Sequence, residues 1–307
     1  MNKLWTTVAI ILLLLVFIGY MVFDLVFKTE VPETVTEPLT DTVIIDQWYV
    51  DKVHTTEEGR LIAVAALRNG GLILGGDSFV ECLSPELEVQ WKSETESAVT
   101  AVAASTDRVY AAVANTIQVF DLTGKLIADW GPYEQKSYIT SVSANDSYIA
   151  FADMASKTVF VLDTGGEVKY FVGRTGEPFV IPSPYFDVAL DKDNVLYVVN
   201  TGKFRIERRS IEGNIIDSFG EAGLAPEYFC GCCNPSHFAL YKDGYVTAEK
   251  GLNRIKLLDK EGSFIEFVSS KNSFLPPEPL DLAVSYDGTT IFGAYPAKSE
   301  LYVFKRK

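Results

Sequence analysis

Short apolar runs alternate with polar turns along most of this chain, and the alternation itself recurs. Tyr197–Ile206 reads YVVNTGKFRI and Tyr245–Ile255 reads YVTAEKGLNRI. Each is followed by a short strand-like run, a Gly turn and another run: ERRSIEGNIIDSFG after the first, KLLDKEGSFIEFV after the second. Aligned on the shared Arg-Ile, Asn200 falls opposite Glu249 and Gly202 opposite Gly251. Half-buried strands separated by Gly, Asn and Asp, repeating about every 40–50 residues, predict a propeller or an array.

Six such units can be laid out, at Leu61–Trp91, Val99–Gly131, Ile139–Gly173, Pro184–Gly220, Pro235–Val268 and Pro279–Phe304. Each opens on an apolar strand, turns at Asp, Asn or Gly, and continues through three more runs. The first strands are small and apolar (Ala63-Val64-Ala65-Ala66, Ala101-Val102-Ala103-Ala104), as expected where strands crowd a central axis. One four-stranded sheet cannot bury both faces alone, whereas a ring of them does and leaves only short edges. The expected fold is all-β, a six-bladed propeller over 43–307. Val43–Val50 (VIIDQWYV) is expected to add a strand to the last blade and close the ring.

The amino-terminal pattern is different. Leu4–Phe23 is an uncharged apolar run, long enough at about 1.5 Å per residue to span the ~30 Å hydrocarbon core. It lacks the A-x-A-like site of a cleaved leader. Residues 1–28 are therefore expected to form a transmembrane signal-anchor helix. Residues 29–42, acidic and rich in Pro and Thr, are expected to form an extended linker. The expected arrangement is a single-pass protein with a cytoplasmic N-terminus and the propeller in the periplasm or extracellular space. The 307 residues carry a net charge of −14 and no basic stripe, which argues against a nucleic-acid partner.

At the repeated segments the chain resembles the NHL-repeat β-propellers. Asp187-Val188-Ala189 and Asp281-Leu282-Ala283 match that family's inner strand, and Val198–Gly202 with Arg205-Ile206 match its Tyr-Val-Ala-Asp-Thr-Gly-Asn-x-Arg-Ile-like segment. Asn200 and Glu249 stand where the family has Asp, and Asp153 keeps it. The resemblance is good over the third to fifth units and weak in the first. It implies a fold; such propellers serve as ligand binders, docking discs and sometimes enzymes. Gly-Cys-Cys-Asn-Pro at 231–235 together with Thr-Ala-Glu-Lys-Gly at 247–251 is also similar to a subgroup of bacterial NHL-like proteins, a likeness that implies no activity.

One segment is chemically unusual. Phe229–Pro235 (FCGCCNP) holds three of the four cysteines, Cys230, Cys232 and Cys233, and His237, one of two histidines, follows. Propeller topology puts this blade-to-blade connection on the same face as the loop Thr247–Leu252, near the channel mouth. The expected binding face is Cys230, Cys232, Cys233, Asn234, His237, Glu249 and Lys250. Three chemistries stay open there. A Cys230–Cys233 disulfide could staple the loop, since a vicinal Cys232–Cys233 bridge is strained. Cys230, Cys232, Cys233 and His237 could ligate Zn, Cu or an Fe-type centre, although their spacing fits no standard zinc or ferredoxin pattern. A thiolate activated by Lys250 could do redox or covalent chemistry.

Other signals are weaker. Cys82 reads as a buried small residue, and Arg205, Arg208, Arg209 and Arg254 as partners of acidic neighbours. Asp187 and Asp281 read as caps of inner-strand turns, and no matched set of inward carboxylates is evident for calcium. No nucleophile elbow, P-loop or His-Glu-x-x-His is present, so no catalytic residues are assigned. The expected function is a membrane-anchored binding module presenting the Cys/His face to a membrane-proximal protein or small ligand. The alternative is a metal-binding or thiol-redox protein using the same residues.

Overall fold

Strand pairing follows the repeat. The computed structural model describes residues 10–21, 47–57, 59–231, 233–242, 244–270 and 273–307. It divides into two units, Met1–Ile44 and Ile45–Lys307. In the second, a strand at Trp48–Thr55 (β1) precedes the first blade, Leu61–Ala66 (β2), Leu72–Gly76 (β3), Phe79–Leu83 (β4) and Val89–Glu94 (β5). The second blade is Val99–Ala104 (β6), Arg108–Val113 (β7), Thr116–Asp121 (β8) and Leu126–Trp130 (β9). The third is Ile139–Ala144 (β10), Tyr148–Asp153 (β11), Thr158–Asp163 (β12) and Val168–Val172 (β13). The fourth is Val188–Leu190 (β14), Val195–Asn200 (β15), Arg205–Ser210 (β16) and Ile215–Phe219 (β17). The fifth is His237–Tyr241 (β18), Gly244–Glu249 (β19), Arg254–Asp259 (β20) and Phe264–Ser269 (β21). The sixth is Asp281–Val284 (β22), Thr290–Tyr295 (β23) and Glu300–Arg306 (β24), completed by β1.

Each blade is a four-stranded antiparallel meander, and the order β1-β24-β23-β22 closes the ring with the chain's two ends in one sheet. The closing strand lies further along than Val43–Val50. It runs from Trp48 to Thr55, with Trp48 opposite Arg306 and a register shift between Val50 and Lys52 that lets the polar Asp51–Thr55 continue the edge. Residues 43–46 and the linker 29–42 lie outside the described residues.

The hydrophobic core is distributed between blades, as the ring requires. Six clusters of buried residues each draw on two neighbouring blades. Phe151, Phe160 and Tyr110 pack between the second and third; Val199, Phe229 and Tyr245 pack between the fourth and fifth. Three of the Gly turns that join third to fourth strands, at Gly124, Gly166 and Gly262, dock on an aromatic ring of the preceding blade, while Gly213 meets Val172. Gly124 (φ 86°) sits on Trp91 and Gly166 (φ 88°) on Trp130, each so close that a Cβ would come within 2.6 and 2.5 Å of the indole. Cys82 is buried in β4, a third strand, as its surroundings in the sequence imply.

In the first unit the described residues, 10–21, form a helix with exposed apolar side chains. Among the described residues no helix is long and apolar enough to cross a membrane. The expected span Leu4–Phe23 is thus not borne out as a transmembrane helix. Of that run only residues 10–21 are described, and both flanks lie outside the described residues.

Candidate functional site

The inner strands of the six blades carry one repeated position near their N-terminal ends. Paired opposite Gly75, Ala112, Ala152, Ala248 and Ala294 of the second strands stand Ala63, Ala101, Ser141, His237 and Asp281. Asp187 takes the same place in the fourth blade, where its carbonyl accepts the Val199 N–H at 3.0 Å. Small residues fill three of the six places, and Asp187, His237 and Asp281 fill three consecutive ones.

These side chains stitch neighbouring blades together. The inner strand has no partner strand on its axial edge, so its N–H groups need other acceptors. Asp187 Oδ2 accepts the Phe238 N–H of the next blade at 2.9 Å, and Asp281 Oδ2 accepts the Val64 N–H at 2.8 Å. Ser141 accepts the Val188 N–H at 3.1 Å and donates its hydroxyl to Asp187 Oδ1. Between the carboxylates sits His237. Its Nδ1 lies 3.6 Å from Asp187 Oδ2 and 3.5 Å from Asp281 Oδ1. Its Nε2 has no hydrogen-bond partner among the described residues, and the side chain is 22% exposed.

The charges of the cluster are interdependent. Burial works to lower the His237 pKa, but the two carboxylates outweigh it and hold the imidazole above its ordinary value. Burial pushes the Asp281 carboxyl up to about 6, opposed by His237 and the N–H groups of Val64 and Leu282 and reinforced by Asp187. An imidazole whose Nδ1 is fixed by carboxylates and whose Nε2 is presented can accept, donate or relay a proton.

Asp187 and Asp281 also line a cavity of about 900 Å³ that follows the channel. Its wall is the Ala- and Val-rich faces of the inner strands, and it reaches the turns that carry Asp193, Lys242 and Tyr286. The Cys segment does not line it. That segment lies at the opposite, N-terminal end of the inner strands.

There the structure brings FCGCCNP against the Thr247–Leu252 loop through one residue. Buried Asn234 donates to Lys250 O at 2.8 Å and to Cys230 O, and accepts the Lys250 N–H at 2.7 Å. Lys250 is exposed, with Nζ 5.2 Å from the Tyr185 ring centroid, and Tyr185 meets His237 edge-on at 6.1 Å. Other residues of the expected face are turned inward. Cys230 is a buried free thiol 3.6 Å from Asn234 Nδ2, so the Cys230–Cys233 bridge is not formed. Cys233 is half-buried, and Cys232 lies outside the described residues.

Glu249 is 1% exposed and paired with Arg254 and Lys256 in the interface with the fourth blade, not with Lys250. His237 is engaged by carboxylates, and among the described residues no group of three or more His, Cys, Asp or Glu is placed to hold a metal ion. The expected set also includes Cys232, which lies outside the described residues.

Sequence reasoning treated Asp187 and Asp281 as turn caps and missed their meeting with His237. The signal was present. Asp187-Val188-Ala189, His237-Phe238-Ala239 and Asp281-Leu282-Ala283 are the same three positions of the repeat.

The fold and this cluster define a six-bladed β-propeller with a polar cluster on the inner strands of three consecutive blades. No protein-family model matches the chain, and no curated protein matches it. The chain is similar in fold to the solved structure titled "Streptogramin B lyase structure". The TM-score is 0.60 at 13% identity, over 85% of this chain and 98% of that one. At that identity the likeness concerns the fold, and the NHL-repeat resemblance likewise rests on the repeated segments alone.

Proposed function

We propose that this protein is a membrane-tethered ligand-binding module whose site runs along the propeller axis, from the Lys250–Tyr185 loop face past His237 into the channel. One observation carries the reading. His237 Nδ1 is held between Asp187 and Asp281, which line a cavity of about 900 Å³, and its Nε2 has no protein partner among the described residues. Ligand pockets typically fall in this size range and combine apolar walls with a few convergent polar groups. Asn234 fixes the loops at one end, so binding would meet a preorganised rim. The uncharged run Leu4–Phe23 supports the tether, which would raise the effective concentration of the site near membrane partners.

The test is a small-molecule screen on the full chain in nonionic detergent, read by thermal shift, with His237→Gln and Lys250→Ala in parallel. Compounds whose stabilisation of the wild type changes in His237→Gln, in either direction, support an axial site. Stabilisation that is equal in all three proteins would place binding elsewhere and end this reading.

A further inference from the structure

The channel has a polarity that its mouth does not share. At the end formed by the turns most charged side chains are already engaged, and Lys242 lies over the Tyr241 ring, 5.1 Å from its centroid. Asp191 accepts the N–H groups of Asp193 and Val195 and the Tyr197 hydroxyl, and Asp287 accepts the Thr289 N–H and the Ser285 hydroxyl. Arg208 pairs with Asp217, and Lys192 with Asp193. The wall between is mostly alanine, valine and leucine, with the hydroxyls of Thr100, Thr140, Ser141 and Ser143 among them. At the end nearer the N-termini of the inner strands two carboxylates share one imidazole.

Those carboxylates are not equally satisfied. Asp187 takes the N–H groups of Val188 and Phe238 and the Ser141 hydroxyl, and its side chain is 9% exposed. Asp281 takes the Val64 N–H on Oδ2, while Oδ1 faces His237 at 3.5 Å, beyond the ~2.7–3.2 Å of a good hydrogen bond. Its side chain is 21% exposed and lines the cavity. Asp281 Oδ1 thus has room for a donor from the channel, and the deep end, at two negative groups to one positive, favours a cation.

We propose that the channel binds an amphipathic amine, with its primary ammonium head on Asp281 and its apolar body along the Ala/Val wall. This names a ligand class for the axial site and rests on that reading. The ammonium replaces the interaction that Asp281 Oδ1 now has with the imidazole. The charged groups acting on Asp281 are His237 and Asp187, so a bound cation lowers the proton affinity of His237 and of Asp281 itself. Binding therefore releases protons and weakens as pH falls through the range where Asp281 becomes protonated, near 6.

The probes are phenethylammonium, 2-phenylethanol and 3-phenylpropionate, titrated calorimetrically into the full chain in nonionic detergent. Buffers of two different ionisation enthalpies count the protons released. The amine is expected to bind at least about tenfold more tightly than the alcohol or the carboxylate, with proton release. Asp281→Asn should weaken the amine about tenfold or more. His237→Gln should tighten it, because it removes the competing positive charge; a purely structural histidine would not do this. An alcohol or carboxylate that binds as tightly as the amine, or amine affinity unchanged in Asp281→Asn, overturns the proposal. So does amine binding without proton release. If none of the three probes binds while the screen still yields His237-dependent ligands, the amine class falls and the binding module stands. If both fail, the axial site falls with it.

Discussion

Lys256 Nζ lies 2.6 Å from Glu249 Oε1, and neither side chain is reached by solvent. The pair is built from adjacent second and third strands, with Thr247 opposite Lys256 and Glu249 opposite Arg254. The ammonium also donates to the carbonyls of Pro226 and Tyr228 at 2.8 and 2.7 Å. It thereby anchors the connection that leads into Cys230. The fourth blade uses the same position with the opposite sign. Glu207 accepts from Asn200 at 2.8 Å and pairs with Arg205 and Arg209, and Arg209 holds the carbonyl of Glu177 in the preceding connection. In both blades a buried charge fastens a blade-to-blade crossing.

Removing one member of such a pair strands the other in a dry interface. Lys256→Met should cost about 3–5 kcal/mol, measured by urea unfolding of the full chain, because Glu249 and two carbonyls lose a donor together. Glu249→Leu in the same chain should recover part of that loss. A single variant as stable as the wild type would mean that the ion pair does not hold the crossing.

Asp281 predicts a pH dependence of stability. Its folded pKa of about 6 lies above the ordinary 3.8, so between those values the folded state binds more protons than the unfolded. Stability from this group is complete below about 4 and is lost as pH rises to about 6, by up to about 3 kcal/mol. His237, also raised, contributes in the same sense above 6.5. Thermal unfolding of Asp281→Asn should lack the decline between pH 4 and 6 that wild type shows relative to it. Parallel curves for the two proteins would refute the assignment.

The propeller was legible in the chain because a ring of sheets imposes a repeating pattern of apolar strands and Gly turns, and that pattern survives in one dimension. The partners of Arg205, Arg208, Arg209 and Arg254 were legible for the same reason: the acids lie on adjoining strands or two residues away. The axial cluster was obscured because His237 reads as an appendage of the Cys segment until it is placed at the repeat position of Asp187 and Asp281. Glu249 was expected on the binding face with Lys250 and is buried instead. Alternation along β19 and the turn after it sends one side chain into the interface and leaves its neighbour in solvent. The start of β1 depends on a bulged edge pairing that the apolar pattern of Val43–Val50 does not encode.

Asn234 should govern access to Cys230. Its carboxamide spans the Cys loop and Lys250, so Asn234→Ala leaves the Lys250 N–H without its acceptor and frees the Cys230 carbonyl. The expected destabilisation is about 1–3 kcal/mol. The more specific outcome is kinetic. Iodoacetamide labelling read by peptide mass spectrometry should find Cys230 slow in wild type and much faster in Asn234→Ala, with buried Cys82 unchanged as an internal control. Equal rates at Cys230 in both proteins would show that the clasp does not protect the thiol.

Gly166 tests how blades are spaced. Its φ of 88° is a left-handed conformation that L side chains rarely adopt, and a Cβ there would lie 2.5 Å from the Trp130 indole of the second blade. Conformation alone should cost about 1 kcal/mol in Gly166→Ala, and relieving the clash requires Trp130 to leave its contact with Tyr110, whose ring centroid is 5.8 Å away. A total of about 2–3 kcal/mol is expected by urea unfolding. Gly176 separates the two contributions. It also has positive φ, 77°, but a Cβ there meets nothing within 4 Å. Gly176→Ala should therefore lose only the conformational part, and Trp130 fluorescence should shift in the first variant and not in the second. Equal losses at the two glycines would mean that the docking of turn on indole adds nothing to blade packing.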